Sequence, residues 1–456
     1  MNKVKFIIDL GSTFTKVAVI DFKNDEILCC TRAPSTVNVD VMIGLREAIE
    51  KAKKAIGIKQ VNREDMLACS SAAGGLKMVC VGLVPTLSLK AGNLAALGAG
   101  AKLLKTYSHE LTSNEVAEIE NILPDIISLV GGTDGGNKNV VLHNAKMLSS
   151  AGTKAIIVVA CNKATQNEAK TILEGAGKKV RLAKNVMPEI RKLEVDSCRE
   201  VIRKVFVNNI VKAKGMGKVK EMIKEVIMPT PTAVLNATKI IAEGVDGEAG
   251  LGELMVVDIG GATTDVHSVA RGAPVEGVLY QDLLPEPYAK RTVEGDIGIR
   301  YNLETLLKLG KRKGLLTDDD MKIANSFSNS NKVPENEDEA LVDMKLARVA
   351  TEVAVERHVG KIETWYGPTG KNLMQKGKDL RSLSSIIGTG GPVIFARDPK
   401  MVLKGALFNK DNPNLLKPQS PKFFIDDHYI LYAVGVLATL EPKKALRIAK
   451  KYIRKL

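Results

Sequence analysis

The chain has 456 residues, which at roughly 100–200 residues per domain suggests two to four domains and large cores that need neither disulfides nor metals. A hydrophobic fraction of 45% with 26% charged residues is that of a soluble globular protein, while 4% aromatics and a single Trp exclude base or sugar stacking as a main theme. The net charge of +14 is spread along the chain and reads as a lysine-rich solvated surface, with an anionic partner as the sharper alternative and no specific nucleic-acid site expected.

Six cysteines (Cys29, Cys30, Cys69, Cys80, Cys161, Cys198) include no CxxC and no Cys/His pair at zinc spacing, so they read as core thiols. No apolar run reaches ~18 residues and the start lacks signal-peptide features, so no membrane span and a cytoplasmic location are expected.

The opening "KFIID", "FTKVAVIDF" and "EILCCTR" read as three strands joined by tight turns, and "VMIGLREAIEKAKKAIG" as a helix closed by Gly57. "DMLACSSA" is a strand running into Gly74–Gly75, "GLKMVCVGLV" another strand, and "LKAGNLAALGAGAKLLKTY" a small-residue helix. From 122 to 186 the pattern becomes strand, glycine turn, helix, strand, helix, strand. Its short apolar strands "IISLV", "AIIVVA" and "KVRLA" suit a parallel sheet covered on both faces.

A basic helical stretch to about Ile227 leads into "PTPTAVLNATKIIAEGV", a proline-started, alanine-rich helix. "ELMVVDIGGATTDVHSVA" is a second hairpin. The middle, 285–380, reads as mostly helical, with a surface loop at "ANSFSNSNKVPENEDEA". "SSIIGTGGPVIFA" is a strand ending in a glycine turn. "HYILYAVGVLATL" and the basic tail "EPKKALRIAKKYIRKL" close the chain as helices, the tail as a packed amphipathic one.

Two stretches carry the chemistry. "DLGSTFTK" offers Asp9, Gly11, Ser12, Thr13, Thr15 and Lys16; "DIGGATTD" offers Asp258, Gly260, Gly261, Thr263, Thr264 and Asp265. Each puts an acid at the end of an apolar strand, then a glycine turn, then a returning strand. Phosphates need backbone N–H groups that no side chain obstructs, hydroxyl donors, and a divalent metal held by carboxylate oxygens, often through water. Alone, either turn is an ordinary hairpin; the pair in one order points to phosphate. A third stretch, Gly388, Gly390 and Gly391 in "IIGTGGP", leaves bare backbone against which a base or ribose can lie. The chain contains neither GxxxxGK[ST] nor a GxGxxG opening its first helix, which excludes a Walker cradle and argues against a Rossmann site.

These three motifs in this order resemble the actin/Hsp70/sugar-kinase superfamily of ATPases. The resemblance implies an α/β, two-lobed actin/Hsp70-like ATPase fold with an inserted βαβαβ domain: 1–121 and 187–250 as lobe I, 122–186 as the insertion, 251–456 as lobe II, with ATP and Mg2+ in the cleft. It implies Asp9 and Asp258 as the catalytic and metal-holding carboxylates. Gly11, Ser12, Thr13, Lys16, Gly260, Gly261, Thr263 and Thr264 would hold the phosphates, and Gly388, Gly390 and Gly391 the adenosine. The helix Pro231–Gly244 looks like the first connecting helix, and Gly435–Ala438 falls where the second is expected. One departure matters: chaperone ATPases of this superfamily usually start the first connecting helix with an acid or amide that positions water, and here Thr230 stands at or next to that position, which argues against fast, self-sufficient hydrolysis and leaves either slow hydrolysis or another acid in that role.

"LVGGTDGGN" and "TVEGDIGIR" are not general superfamily motifs. With the chain length and the "DLGSTFTK" start they resemble the glutamate mutase accessory protein family over nearly the whole chain. That implies a reactivating ATPase for an adenosylcobalamin-dependent mutase, partnered by mutase subunits and nucleotide, with the cobalamin held by the mutase; self-association stays open. Asp134 in the first motif reads either as an anion nest or as a strand-to-helix turn. Glu294 and Asp296 in the second read either as cleft ligands or as a charged helix start. A small-metabolite kinase of the same fold and an actin-like filament subunit are the competing functions.

Overall fold

β-branched apolar runs that end in an acid or a glycine set the strand positions throughout. A computed structural model gives residues 4–37, 39–71, 76–209, 216–281, 284–325, 334–367 and 370–456. Gly74–Gly75 and residues 326–333 of the Asn/Ser-rich break lie outside them. The chain forms two compact units: Met1–Asp21, Thr31–Ala233 and Asp282–Pro287 make the first; Phe22–Cys30, Val234–Gln281 and Tyr288–Leu456 make the second.

In chain order the first unit contains β1 (Val4–Leu10), β2 (Phe14–Asp21), the Thr31–Pro34 end of β3 (Glu26–Pro34), α1 (Val41–Ile56), β4 (Met66–Ser70), β5 (Lys77–Gly82), α2 (Lys90–Gly98), β6 (Lys102–Ser108) and α3 (Ser113–Ile122). There follow β7 (Ile126–Gly131), α4 (Asn139–Ser150), β8 (Ile156–Cys161), α5 (Gln166–Gly175), β9 (Lys179–Leu182), α6 (Asp196–Asn209), α7 (Met216–Met222), β10 (Glu225–Pro229) and the Thr230–Ala233 start of α8 (Thr230–Glu243), whose remainder belongs to the second unit. The helix α1 begins where the Asp40 carboxylate accepts from the Met42 N–H. It ends at Gly57, whose φ of +72° suits glycine and lets its N–H reach the carbonyls of Lys53 and Lys54.

One sheet runs β3-β2-β1-β4-β10, antiparallel between β1 and β2 and parallel across β1, β4 and β10. The other runs β6-β5-β7-β8-β9 and is parallel throughout. Strands β7 and β8 are buried along nearly their whole length, which is why they read as continuous apolar runs. Val79, Val81, Ile127, Leu129, Ile157 and Val159 form its core with Leu148 of α4 and Leu173 of α5.

The first unit differs from the sequence reading in several places. The small-residue helix stops at Gly98, and "KLLKTYS" becomes β6, because it must pair with β5. The parallel sheet therefore takes in β5 and β6 and begins at Lys77, not at 122. The basic helical stretch ends in a strand, β10, the outer member of the first sheet. The division between units falls at Ala233/Val234, inside α8, and not at 250.

The second unit contains β11 (Gly244–Val245), β12 (Glu248–Ala249), β13 (Leu254–Ile259), β14 (Thr264–Val269), β15 (Leu279–Tyr280), β16 (Ala289–Glu294), α9 (Leu303–Arg312), α10 (Asp318–Ala324) and α11 (Glu337–His358). Then come β17 (Lys361–Gly367), β18 (Gly370–Lys376), β19 (Ser385–Thr389), α12 (Gly391–Ile394), α13 (Pro399–Leu403), β20 (Lys422–Ile425), α14 (Leu431–Leu437), α15 (Pro442–Tyr452) and β21 (Arg454–Lys455). Gly435 lies in α14, with Ala438 as its C-cap.

Its main sheet runs β16-β14-β13-β19-β20-β21. Strands β16, β14 and β13 are antiparallel; β13, β19 and β20 are parallel. The order antiparallel hairpin then parallel strands is that of the first unit's β3-β2-β1-β4-β10, so the two units repeat one topology, as expected of the actin/Hsp70-like α/β class. Leu346, Val349, Ala350 and Val353 of α11 pack with Met255, Val257 and Ile386 of this sheet. The stretch 285–380 is less helical than read: β16 and the hairpin β17–β18 belong to sheets.

The basic tail is the packed amphipathic helix expected. In α15, Ala445, Leu446, Ile448 and Ala449 are buried. Its charges are committed within the protein: Lys444 to Asp25 at 3.0 Å, Lys451 to Glu26 at 2.6 Å and Arg447 to Glu248 at 2.6 Å. Four cysteines, Cys69, Cys80, Cys161 and Cys198, are buried; Cys29 is half-buried and Cys30 exposed; all six are free thiols.

Two buried histidines make the fold acid-sensitive. His267 on β14 is held uncharged by burial and by Arg291, its pKa lowered to about 3. Burial, Lys290 and Lys378 likewise push His358 well below the usual value. Its ring contacts Thr292 Oγ1 at 2.8 Å and Ser268 Oγ at 2.7 Å. Both values are depressed relative to the unfolded chain, so the stability they contribute is complete above about pH 6.5 and is lost as pH falls. Urea unfolding followed from pH 7 to 4 should lose up to about 1.4 kcal/mol per pH unit for each histidine. His267→Leu should show a shallower slope, and an unchanged slope would refute the assignment.

Candidate functional site

Each acid-tipped turn is the same local structure. In the first unit, Asp9 on β1 lies opposite Lys16 on β2, and the Gly11 N–H donates to the Phe14 carbonyl at 3.1 Å. In the second unit, Asp258 on β13 lies opposite Asp265 on β14, and the Gly260 N–H donates to the Thr263 carbonyl at 2.9 Å. The equivalences run residue by residue: Ser12 with Gly261, Thr13 with Ala262, Thr15 with Thr264, Lys16 with Asp265. A Cβ on Gly11 would clash with the Phe14 carbonyl, so the turn closes this tightly only with glycine there.

The environments of the two acids differ. Asp9 is 1% exposed. Its Oδ2 faces Lys16 Nζ at 3.2 Å and its Oδ1 accepts from Thr230 Oγ1 at 2.6 Å. The Cys69 thiol sits 3.8 Å from Oδ1, and burial together with the Asp9 charge raises its pKa well above the usual value. Thr230, the first residue of α8, is thus joined to the carboxylate of the first turn. Ser12 and Thr13 are exposed at the tip. Their carbonyl side is anchored, since Ser35 N–H donates to the Thr13 carbonyl and Ser35 Oγ to the Gly11 carbonyl.

Asp258 is half-buried. Its neighbour Asp265 is claimed by Arg291, whose Nη2 and Nε lie 2.6 and 2.9 Å from Oδ1, and by Thr263 Oγ1 at 3.1 Å from Oδ2. Thr264 points inward, fully buried and donating to the Ile297 carbonyl, so it fixes the turn and presents no hydroxyl at the surface. Two carboxylates on paired strands would repel each other; Arg291 offsets this by neutralising one.

The third motif joins the second. Strands β13 and β19 are parallel neighbours, with Asp258 in register with Thr389. Gly390, at φ +93°, packs so closely on Ile259 that a Cβ there would strike its backbone. Gly388 and Gly390 therefore sit beside the acid-tipped turn at the carboxyl ends of adjacent strands, with Gly391 opening α12. A third acid, missed by sequence reasoning, ends the next strand. Asp426 is fully buried; it accepts from the Ile430 and Leu431 N–H groups at 2.8 and 3.1 Å and from Thr389 Oγ1 at 3.1 Å. Its signal was present in "KFFID", the same apolar strand tipped by an acid.

The "EGDIGIR" segment braces the second turn. Ile299 N–H donates to Gly260 O, and the N–H groups of Arg300 and Tyr301 donate to Gly261 O. Gly298 lies against the Ala262 backbone with no room for a Cβ. Glu294 and Asp296 are both tied to Arg357 at 2.6 Å, the last turn of α11, and Arg300 pairs with Asp343 of the same helix at 2.5 Å. Burial raises the Glu294 pKa, whereas the Arg357 hydrogen bond lowers that of Asp296.

The Gly131–Gly136 turn follows β7 at the carboxyl edge of the parallel sheet. The Asp134 carboxylate accepts from the Lys163 N–H and from Asn185 Nδ2, each at 2.9 Å. Asn162, fully buried, receives the Gly135 N–H and donates to the carbonyls of Gly136 and Asn137. Asp134 thus ties together the loops after β7, β8 and β9. Among the described residues no group of three or more His, Cys, Asp or Glu side chains is placed to hold a metal ion, and no helix is long and apolar enough to cross a membrane.

Comparison with known proteins gives the family. The solved activator of the 2-hydroxyisocaproyl-CoA dehydratase from Clostridium difficile aligns over 98% of this chain and 97% of its own at 9% identity and a TM-score of 0.32. Xylulose kinase from Bifidobacterium adolescentis aligns over 99% and 94% at 10% identity and a TM-score of 0.31. Likenesses at that level say nothing about ligand or chemistry. A Protein MutL from Clostridium tetanomorphum, by contrast, is 46% identical over 456 residues, covering 98% of this chain and 99% of the relative. The family model described as MutL protein matches residues 5–453. The chain belongs to this MutL family, the glutamate mutase accessory family that its motifs resemble.

Proposed function

We propose that this protein binds Mg-ATP through its two acid-tipped turns and acts as the accessory factor of an adenosylcobalamin-dependent mutase, promoting release of damaged cobalamin. The observation that carries the nucleotide part is the equivalence of the turns: the same Gly N–H bond, the same strand pairing, in two units of one topology. Family membership supports the accessory part.

In this reading Ser12 and Thr13 and the amides of both turns hold phosphate oxygens, and Gly388, Gly390 and Gly391 lie against the nucleoside. Mg2+ would rest on Asp258, the half-buried acid, and on Asp9 through water, since the described residues offer single carboxylates and not a closed ligand cage. When bound, the ion would neutralise phosphate charge. Thr230 positions Asp9 and supplies no general base, which favours slow turnover and a switch over a fast hydrolase. Nucleotide would then act by binding differently to two states of the protein that also differ in affinity for the mutase.

Titration calorimetry with Mg-ATP should show Asp258→Asn and Asp9→Asn weakened about 30- to 100-fold, with unchanged circular dichroism. Normal binding by both would remove the site. Thr230→Val leaves a buried carboxylate oxygen short of a partner and should cost about 1–3 kcal/mol in urea unfolding; no loss would mean that the bond is not made. A mutase inactivated with hydroxocobalamin should regain turnover only when this protein, ATP and fresh adenosylcobalamin are all supplied. Recovery without ATP would refute the nucleotide-driven reading.

A further inference from the structure

The geometry points to the β17–β18 hairpin, with β15 beside it, as the surface that docks a mutase subunit, its exposed apolar side chains and lysines meeting an apolar patch of the mutase that is bordered by carboxylates. This rests on the accessory-factor reading above. The three strands form a small separate sheet, β15-β18-β17. It carries four large apolar side chains in the open: Tyr366 is 75% exposed, Leu279 58%, Trp365 49% and Leu373 43%. Single exposed apolar residues are ordinary, but four on one small sheet mark an interaction site.

The register shows how they are displayed. Trp365 lies opposite Asn372, Glu363 opposite Met374, and Met374 opposite Leu279, so Trp365, Met374 and Leu279 share one face. Tyr366 and Leu373 lie on the other face. There Gln375 is fully buried at the base, where its side chain bonds the Val275 and Gly377 backbone. The base is therefore anchored, and the far half of the hairpin carries an exposed aromatic on each face: Trp365, opposite Asn372, on one and Tyr366, opposite Lys371, on the other.

The edge is also open. The Asn414–Leu416 segment bonds β17 only at Gly360 and Ile362, and among the described residues no strand pairs with it beyond that point. Natural sheets usually blunt such an edge, and one left open is available for pairing with another chain. The hairpin also follows α11 directly, the helix whose Asp343 and Arg357 are ion-paired to the segment bracing the second turn.

Charge selects the partner. Lys361, Lys371 and Lys376 are exposed around the patch, and the one acid, Glu363, is paired with Lys361 and held below its usual pKa by Lys361 and then Lys376. The remaining positive charge suits carboxylates bordering an apolar patch on a protein. Trp and Tyr are the side chains most enriched among residues that dominate interface energy.

Trp365 is the only tryptophan of the chain, which makes the test specific. The full-length protein is labelled with 5-fluorotryptophan, giving one fluorine resonance, and titrated with purified unlabelled glutamate mutase subunits. Sedimentation measures affinity in parallel. The resonance should shift or broaden as complex forms, and Trp365→Ala and Tyr366→Ser should each weaken binding by about 30-fold while Mg-ATP affinity and thermal midpoint stay unchanged. If the mutase binds but the resonance does not move and both variants bind normally, the docking surface is elsewhere and the accessory-factor reading survives. If the mutase does not bind the unmodified protein, that reading fails and this occupant with it. A shift caused by raising the protein's own concentration, or by a single-stranded oligonucleotide, would overturn the proposal in favour of self-association or nucleic acid.

Discussion

A single backbone hydrogen bond, from a glycine N–H to the carbonyl three residues on, closes both acid-tipped turns. With it fixed, the strands before and after the turn must pair so that the acid faces the residue seven positions later. The acid is then held at the carboxyl end of a strand whose other neighbour is parallel. Each unit's sheet is arranged around that placement, with an antiparallel hairpin on one side and parallel strands on the other. Loop tips at that end are where polar backbone collects free of the core.

The same turn is supported differently in the two units. In the first, support comes from two polar side chains: Lys16 and Thr230 satisfy a carboxylate that would otherwise be buried alone at considerable cost. In the second, a whole segment does the work. Residues 294–302 wrap the turn through backbone bonds, Gly298 leaves no gap against Ala262, and Arg300 and Arg357 pin the segment to α11. That explains why "EGDIGIR" is rich in both glycine and charge. The glycines permit close approach, and the charges fasten the segment to a helix 22 residues long. Glu294 and Asp296, read from sequence as cleft ligands or as a helix start with charge pairs, both pair with Arg357.

The parallel sheet β6-β5-β7-β8-β9 solves another problem. Its central strands β5, β7 and β8 are buried on both faces, so the loops must carry the polar groups, and Asp134, Asn162 and Asn185 bind three of those loops to one another. Asp134 is committed to this internal bonding. The glycines around it provide the positive φ angles that the crossing requires, at Gly131, Gly132 and Gly135.

The sequence alone determined what depends on local order. Both turns, the first three strands, α1 with its Gly57 cap, α8 and the amphipathic tail are legible because periodicity and turn chemistry act over a few residues. Family membership was legible for the same reason, through short motifs. What only the tertiary structure decided depends on partners far away in the chain. "KLLKTYS" is a strand because β5 lies beside it, and "EVIMP" because β4 does. The 361–376 hairpin escaped notice because its apolar residues come as adjacent pairs, Trp365–Tyr366 and Leu373–Met374, which point to opposite faces and leave no alternation to read. Thr230 meets Asp9 across 221 residues, Arg291 claims Asp265, and Asp426 joins Thr389. No local rule can pair such groups, since the contact exists only once the sheets have formed.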